Sequence, residues 1–520
     1  MVVNPILRGM NPDPSICTDG KKYYIATSTF EWFPGLKIYE SEDLANWSIV
    51  ARPLKKQINL LGVPDSAGVW APGLNYFNHK FWLTYSVMHQ IDGNYKDLRN
   101  YLVSADEVSG EWSKPIYIGS QGFDPSIFQD DDGKTYILSQ NWDYRRTYTH
   151  QAFNGIIIQE FDIKTQTIKG FTRQIFKGSA QGGSEGPTLY KRNGYYYLLM
   201  AEGGSGRHHS ITVARSKSLN DEFELSPEVT LITAYNAENQ PLQKAGHGNL
   251  VETSDGKTYL VHLVSRYLPG TQKSVLGRET AIEPIIWKDD WPMIKNGNHP
   301  SENIEQLPKN QSSIAYRTNF ENGLDLNWST LRHQVDFEFN KGIVIPGDES
   351  LSSTFQQSLV ARSWPDFSFN VRTKLQFNPR SFRNQAGVTL YYNTHNWIFL
   401  YESFDEMSQR RILNLQMSKA GKVSEPANGL YIYLPDGDVE LGFDIEAAQV
   451  KALYKNEVGV WQEYGRTIDA SFMSDEGVDG WGFTGSTVGL TCIDTDLKNT
   501  KATFSYFSIG GNENGSEKMG

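Results

Sequence analysis

A short pattern recurs five times in the first 300 residues, and it limits the fold more than any other part of the sequence. Each copy has a turn with Gly, Asp or Asn and then an aromatic-rich apolar run, as in DGKKYYIATS and NHKFWLTYS. The aromatic centres, at steps of 58, 54, 60 and 63 residues, are Tyr24, Trp82, Tyr136, Tyr196 and Tyr259. This period, without helical periodicity, is typical of β-propeller blades. Five copies predict five blades.

A second position recurs about a dozen residues before each aromatic centre, and its residue type changes from copy to copy. The motifs NPDPS, VWAPG, FDPSI, SEGPT and AGHGN contain, in turn, Asp13, Trp70, Asp124, Glu185 and His247. Equivalent positions of the innermost strands surround the axis of a propeller, so these side chains should meet at one end of the channel. Three converging carboxyl groups repel one another and raise one another's pKa. A functional site explains this cost better than the structural alternative, in which Asp before Pro caps a turn.

The composition excludes several classes of partner. The net charge of −11 and the pI near 5.5 argue against nucleic acid, which requires a clustered basic surface, and favour a neutral substrate. No apolar run approaches the roughly 18 residues of a membrane helix, so membrane insertion is not expected. Aromatic residues make up 13% of the chain, which suits stacking on sugar rings, although β-strands are also rich in aromatics.

The cysteines and the N-terminus say little about the compartment. Cys17 and Cys492 lie far apart, without zinc-site spacing, and no disulfide between them is expected. The opening MVVNPILRGMNPDPS lacks the pattern of a secretory signal. The chain is therefore expected to be cytoplasmic if complete, and periplasmic or secreted if a signal peptide was removed. The oligomeric state stays open, with a homo-oligomer among the options.

The pattern changes after about residue 294, which indicates a second domain. A chain of 520 residues exceeds the roughly 250–300 residues that one core supports. We predict an all-β protein: a five-bladed propeller over residues 1–300, a polar linker over 301–315 and a β-sandwich over 316–512. The sandwich is predicted from short strands such as FSFNVRTKLQF and AGVTLYYN. Residues 513–520 are expected to form a flexible tail.

Long stretches of the sequence, among them NPILRGMNPDPSICTDGKKYYIATSTFEWFPG, GFDPSIF, SEGPTLY, LQKAGHGNLVET and LGRETAI, resemble glycoside hydrolase family 43. The similarity is greatest to its two-domain β-xylosidases and α-L-arabinofuranosidases. It implies that Asp13 is the general base, that Glu185 is the general acid and that Asp124 tunes and positions this acid. It also implies inversion of configuration, for which the two carboxyl groups should lie about 6.5–9.5 Å apart.

The chemistry needs one protonated and one ionised carboxyl group. We expect the negative charge of Asp124 to raise the pKa of Glu185, and Arg278 in LGRET to hold Asp13 ionised. The resemblance further implies that Phe30 and Trp70 line the terminal sugar, with Trp142 and Ser205 near the mouth. Core packing is the structural alternative for these aromatics.

One motif departs from the family. Related β-xylosidases insert a Phe into the mouth of the active site from a motif like GAFVG, whereas this sequence has GSTVG with Thr487 in that place. The departure predicts a more open mouth that could admit arabinofuranose or a branched chain. The sandwich could instead be a sugar-binding module of the lectin-like type.

The resemblance also implies a calcium ion on the propeller axis near His247, although calcium prefers oxygen ligands and a packed scaffold histidine is the alternative. Two other metal candidates are weak. The run DDDGKT from Asp130 lacks the Glu that an EF-hand needs and is interpreted as a turn. His208 and His209 adjoin AEGGS on a loop, where metal binding is not favoured.

Together these observations predict an inverting, exo-acting glycosidase that releases terminal pentoses from xylo-oligosaccharides or arabinose-decorated glycans. The favoured activity is β-D-xylosidase with accompanying α-L-arabinofuranosidase; the alternative is a primary α-L-arabinofuranosidase. No organic cofactor is expected. From other classes, a non-catalytic sugar-binding propeller needs only the aromatics, and an interaction scaffold needs an exposed apolar rim. The three acids at equivalent strand positions favour the enzyme.

Overall fold

A computed structural model describes residues 1–145, 152–295, 297–311 and 313–511. The chain divides into two compact units. The first unit comprises Met1–Asn59, Ala67–Arg266 and Arg278–Gln311, and the second comprises Leu60–Ser66, Tyr267–Gly277 and Ser312–Gly520. The predicted tail at 513–520 lies outside the described residues. In the described ranges, every helix falls short of the length and apolar character that a membrane crossing requires.

Five antiparallel sheets of four or five strands form the blades of the first unit, which confirms the predicted five-bladed propeller. In each sheet the strands are hydrogen-bonded in chain order. The strands of blade 1 are Ser15–Thr18, Tyr23–Thr27, Lys37–Ser41 and Ser48–Ala51, and those of blade 2 are Gly68–Phe77, Lys80–Gln90, Asp97–Ala105 and Ile116–Gly119. The strands of blade 3 are Ser126–Gln129, Thr135–Trp142, Phe153–Asp162 and Thr167–Phe176.

The last two blades follow the same order. The strands of blade 4 are Glu185–Arg192, Tyr195–Glu202, Ser210–Ser216 and Glu224–Leu225, with Ile232–Thr233 paired to the third of them. The strands of blade 5 are Leu242–Glu252, Thr258–Arg266, Glu279–Lys288 and Trp291–Ile294. A further short strand, Trp32–Phe33, lies in the chain between the second and third strands of blade 1.

The innermost strands close into a ring. Each first strand contacts the first strand of the next blade, and Leu242–Glu252 of blade 5 contacts Ser15–Thr18 of blade 1. The apolar core lies between neighbouring blades: Phe128 and Leu138 of blade 3, for example, pack with Tyr196 and Leu198 of blade 4. The aromatic centres of the repeats therefore fill the space between blades.

The two ends of the propeller unit are held together by strand pairing. Val2–Val3 pairs with Asn303–Ile304, and the Asn4 side chain donates to the carbonyls of Ile282 and Ser301 at 2.9 and 2.8 Å. Asn303–Ile304 falls inside the segment predicted as a linker, and the contact division between the units falls after Gln311. The first residues of the predicted linker thus form a strand that pairs with the N-terminal strand of the first unit.

The second unit is a β-sandwich of two antiparallel sheets, as predicted. The order of the first sheet is Glu338–Phe339, Ile343–Pro346, Lys501–Gly510, Phe369–Gln376, Val439–Glu446, Gln449–Lys455 and Trp461–Glu463. Tyr316–Thr318 and Ile468–Asp469 pair with its third and sixth strands. The order of the second sheet is Lys422–Ser424, Arg410–Lys419, Asn396–Asp405, Asn384–Asn393, Thr487–Asp494, Leu359–Ser363 and Ser329–Leu331. Ile432–Tyr433 pairs with Arg410–Lys419, and Ala470–Phe472 is a single 3-10 turn.

A buried arginine ties the segment Leu60–Ser66 to the sandwich within the second unit. The Arg332 guanidinium is fully buried and donates to Asp65 Oδ1 at 2.7 Å, to the Val63 carbonyl at 2.7 Å and to Gln357 Oε1 at 3.2 Å. The other Asp65 oxygen accepts from Thr394. Because burial costs these charged and polar groups their hydration, their mutual hydrogen bonds must replace it.

Arg332→Met should destabilise the second unit by about 3 kcal/mol, since it leaves the Asp65 carboxylate and two acceptors without their buried donor. The measurement is thermal unfolding of the full chain. The control is Lys451→Met, which removes an exposed ion pair with Glu463 at 2.7 Å and should have a much smaller effect, because solvent screens surface pairs. Equal, small effects of the two substitutions would show that the buried pair contributes no more than a surface one.

Candidate active site

The predicted acids lie at the start of three innermost strands. Asp13 precedes Ser15–Thr18, Asp124 precedes Ser126–Gln129, and Glu185 begins the first strand of blade 4. The backbone of Asp13 and of Asp124 is left-handed, with φ of 55° at both residues. Asp tolerates this region better than most residues, and unusual backbone of this kind concentrates at functional sites. The identical geometry at both positions follows from the repeat.

Asp13 is held among groups that favour its ionised form. Arg278 Nη1 donates to Asp13 Oδ1 at 3.1 Å, and Ser28 Oγ donates to Oδ2 at 2.7 Å. His247 Nδ1 lies 3.9 Å from Oδ1. Burial alone would raise the pKa of Asp13, but Arg278, His247 and the Ser28 hydrogen bond outweigh it and hold the pKa below its usual value. The predicted pairing of Arg278 with Asp13 is therefore present.

Glu185 is in the opposite state. The residue is half-buried by surface area, but its carboxyl group is enclosed by protein. This desolvation, together with the charge of Asp13, raises the pKa of Glu185 to about 8, and Arg278 has a smaller opposing effect. A carboxyl group with this pKa is protonated at neutral pH. Asp13 and Glu185 thus differ in ionisation in the way that an acid and base pair requires.

Asp124 is the third carboxyl group of the ring. Its pKa is raised well above the usual value by burial and then by the charges of Glu185 and Asp13. Asp124 and Glu185 therefore interact as like charges, and both have a raised pKa. The expectation that the charge of Asp124 raises the pKa of Glu185 stays a prediction.

Asp124 also has a geometric relation to Glu185. One of its oxygens accepts a hydrogen bond from the Gly186 backbone N–H at 3.1 Å, directly after Glu185 in the chain. The Asp124 backbone N–H donates to Ser86 Oγ at 3.2 Å, and Ser86 donates to Asn100 at 2.7 Å. A chain of hydrogen bonds through blades 2, 3 and 4 therefore orients the backbone at the acid.

His247 is packed into the ring. Its backbone has φ of 35°, and its ring lies so close to Gly186 that a Cβ there would come within 2.8 Å of His247 Cε1. Only glycine fits at position 186, which also has a left-handed backbone with φ of 56°. Burial lowers the pKa of His247, and the charge of Asp13 opposes this effect.

The predicted aromatic residues lie beside these acids. Phe30 has φ of 53° and exchanges two backbone hydrogen bonds of 2.9 Å with Val69, which places it next to Trp70. The two rings are 6.5 Å apart, and the Arg278 guanidinium lies 5.3 Å from the Phe30 ring centre. A left-handed phenylalanine is unusual and persists only where its surroundings enforce it.

The remaining predicted residues occupy more open positions. Trp142 is half-buried, donates from Nε1 to the Asn94 carbonyl at 2.9 Å and lies under Lys96 at 5.1 Å. Ser205 is half-buried in the loop after Tyr195–Glu202. Thr487 is buried in the second unit, where its hydroxyl donates to the Tyr391 carbonyl at 2.8 Å.

Comparison with known proteins identifies the family. Residues 2–292 match the model of the glycosyl hydrolases family 43, and residues 317–510 match the model of the β-xylosidase C-terminal concanavalin A-like domain. The chain belongs to glycosyl hydrolase family 43. The predicted family, and with it the prediction of a glycosidase, is confirmed.

Several relatives match this family 43 chain over almost their whole length. A xylosidase/arabinosidase 43B from Humicola insolens is 42% identical, with 97% of each chain covered. A β-xylosidase from Bacillus subtilis strain 168 is 39% identical, covering 97% of this chain and 99% of the relative. The crystal structure of a xylan β-1,4-xylosidase from Bacillus halodurans C-125 aligns with a TM-score of 0.94 at 40% identity, covering 98% of this chain and all of that one.

Several residues of the family 43 site were not predicted. Ser28, Ser86 and Gln140 all stand four residues after the aromatic centre of their repeat. Ser28 donates to Asp13, Ser86 is the strand partner of Trp70, and the Gln140 N–H donates to the Phe123 carbonyl next to Asp124. Aligning the second strands of the repeats would have revealed them. Phe123 packs between Trp70 and Trp142, at 5.4 and 6.2 Å, and extends the aromatic wall.

Phe153 continues the same wall and was also missed. Its ring lies 5.3 Å from that of Trp142 and 6.0 Å from that of Phe123, and it is 36% exposed. Phe123 adjoins Asp124 in its motif and could have been noticed there. Phe153 stands on the third strand of its blade, where the repeat motif carries no signal.

The other metal candidates fit structural roles. His209 is buried against the Lys244 carbonyl at 3.0 Å, and burial lowers its pKa to about 3. His208 is exposed, and its ring is tilted against that of Tyr235 with centres 4.4 Å apart. Asp130 accepts from Lys191 and from Tyr196 at 2.6 Å each, consistent with the predicted turn. Over the ranges the structure describes, no three His, Cys, Asp or Glu residues gather to hold a metal. Cys17 and Cys492 are both buried and free, as expected.

A cavity elsewhere contains none of the predicted residues. It has a volume of about 670 Å³, lies in the second unit and is lined by residues 432–436, 438–439 and 454–458. The proposed family 43 chemistry rests instead on the ionisable groups of the first unit.

Proposed function

We propose that the chain is an inverting, exo-acting β-D-xylosidase with accompanying α-L-arabinofuranosidase activity on xylo-oligosaccharides or arabinose-decorated glycans. The observation that carries this proposal is the opposite ionisation of two carboxyl groups in one ring: Asp13 is held ionised beside Arg278, and Glu185 has a pKa of about 8. The relatives named for xylosidase activity support the choice of sugar.

In this proposal Glu185 donates its proton to the glycosidic oxygen as the bond from that oxygen to the anomeric carbon breaks. A water molecule attacks the anomeric carbon from the opposite face, and Asp13 accepts the water proton. Both protons are accounted for, and the enzyme must then exchange them with solvent before the next cycle. Asp13 suits the base role because Arg278 and Ser28 keep it ionised without occupying every lone pair.

Supporting roles follow from the contacts. Asp124 positions the Glu185 turn through Gly186. The planar guanidinium of Arg278 has further N–H donors, which can hydrogen-bond to sugar hydroxyl groups. Phe30 and Trp70 offer apolar surface for a terminal sugar, and Trp142 and Ser205 belong to the outer part of the site, where the leaving sugar would bind.

Substrate and stereochemistry test the proposal directly. Aryl β-D-xyloside should be cleaved with a higher kcat/KM than aryl α-L-arabinofuranoside, and proton NMR of the early hydrolysis of that aryl xyloside should show α-xylose as the first sugar released. Glu185→Gln should lower kcat/KM on xylobiose by at least about 10³-fold, because it removes the proton donor. First appearance of β-xylose would exclude inversion, and a preference for the arabinofuranoside would favour the alternative activity.

The pH profile of kcat/KM should be bell-shaped, with its alkaline limb near pH 8, where Glu185 loses its proton, and its acidic limb below the ordinary range of an aspartate. Ser28→Ala should move only the acidic limb, toward higher pH, since it removes a hydrogen bond that favours ionised Asp13. Ser15→Ala, in the same blade but bonded to Leu74, is the matched control. A shift of the alkaline limb in Ser28→Ala would contradict the assignment.

The predicted axial calcium has little support from protein donors. Near the axis His247 offers one imidazole nitrogen, whereas calcium prefers six to eight oxygen ligands, so water would have to supply most of the shell. The proton transfers proposed for Glu185 and Asp13 do not depend on the ion. Exhaustive chelation should therefore leave kcat on aryl β-xyloside within about twofold of the untreated enzyme. A larger loss that calcium alone restores would establish the ion as a functional part of the site.

A further inference from the structure

A fourth buried carboxyl group lies beside the proposed acid and has no part in the chemistry described above. Glu202 ends the second strand of blade 4 and is completely buried. Its neighbour Ala201 is the strand-register partner of Glu185. Among the ion pairs of the described residues, none involves Glu202, so this carboxyl group is compensated by hydrogen bonds from neutral groups. Such burial is costly and calls for a specific reason.

All three hydrogen bonds to Glu202 from the preceding loop come from two serines. Ser184 Oγ donates to Oε1 at 2.5 Å, Ser179 Oγ donates to Oε2 at 2.5 Å, and the Ser179 backbone N–H donates to Oε1 at 3.2 Å. Both serines belong to the short segment 179–184, which leads directly into Glu185. Glu202 therefore binds the two ends of this segment.

The segment is an irregular turn, and Glu202 fastens it to the second strand of the blade. It contains Gly182 and Gly183, both with left-handed backbone. The Gly182 N–H donates to the Ser179 carbonyl at 3.2 Å, and the Gly203 N–H donates to the Gly182 carbonyl at 2.8 Å. Strand pairing reaches the acid at Glu185–Ala201, but it is interrupted there and resumes at Thr188. Glu185 thus lies on an irregular stretch of chain.

We propose that Glu202 is a positioning residue for Glu185 that acts through Ser184 and Ser179 and does not touch the substrate. The residue before the acid is bonded to Glu202, and the residue after the acid is bonded to Asp124. Glu185 is held between these two carboxyl anchors. A small displacement of the acid would lengthen its proton transfer to the leaving oxygen, and misplacement of about 1 Å costs on the order of 10²-fold in rate.

The proposal rests on the acid role of Glu185, and the test uses substrates that differ in their need for that acid. Dinitrophenyl β-xyloside has a leaving group that departs without protonation, whereas xylobiose requires it. Glu202→Met removes both acceptors at similar length, and Ser184→Ala removes only the bond next to the acid. Each should lower kcat/KM on xylobiose by about 10- to 100-fold and on the dinitrophenyl substrate by less than about threefold.

Conservative variants and a control separate positioning from folding. Glu202→Gln keeps an acceptor for Ser184, and Ser184→Thr keeps the hydroxyl group, so both should recover most of the xylobiose activity. Glu283→Gln changes another buried carboxyl group, which accepts from the Ser301 N–H at 2.5 Å, and should leave both substrates unaffected. Should Glu202→Met fail to fold in thermal unfolding, the comparison of Ser184→Ala with Ser184→Thr carries the test.

Equal losses on the two substrates, or no loss on either, would overturn the positioning role. Glu185→Gln is assayed in parallel and should show the largest difference between the substrates. If Glu185→Gln lost activity equally on both, the acid assignment itself would fail and the proposed function would need revision, independently of Glu202. If Glu185→Gln shows the difference between the substrates while Glu202→Met and Ser184→Ala do not, only the positioning role of Glu202 is contradicted.

Discussion

The charge balance between Asp13 and Arg278 determines the chemistry of the whole ring. Three carboxyl groups converge there, and the guanidinium of Arg278 hydrogen-bonds to one of them. Because the ring is removed from water, three uncompensated negative charges would be very unfavourable. The carboxyl group that the cation contacts is held ionised, and its charge raises the pKa of Glu185 and of Asp124. The difference between the base and the acid therefore follows from which carboxyl group Arg278 contacts.

The propeller makes this arrangement rigid. The innermost strands contact one another in a closed ring, and the pairing of Val2–Val3 with Asn303–Ile304 joins the two ends of the unit. The site positions depart from regular strand geometry, with left-handed backbone at Asp13, Asp124 and His247. Such conformations cost of order 1–3 kcal/mol each and persist only where the surrounding structure enforces them. The regular blades supply that support.

Local and repeated features of this fold could be predicted from the sequence, and features that depend on long-range contact could not. Turn and strand signals are local, so the period of aromatic centres was sufficient to predict five blades. Equivalent positions in repeats occupy equivalent places, so Asp13, Asp124 and Glu185 could be brought together before any coordinates. The strand Asn303–Ile304 was assigned to a linker because its partner lies 300 residues earlier, and its polar composition resembles a loop.

The electrostatics of the site could be predicted only in part. The motifs alone could show that acids converge, but the ionisation of each acid depends on distances and on which group the guanidinium reaches. Arg278 hydrogen-bonds to Asp13, whereas burial and like charge raise the pKa of Asp124 and of Glu185. Asp124 also accepts from the Gly186 N–H, so the residue that repels the acid electrostatically is the one that fixes the backbone beside it. The pKa and the position of Glu185 are therefore linked through one side chain, which the spacing of the motifs could not show.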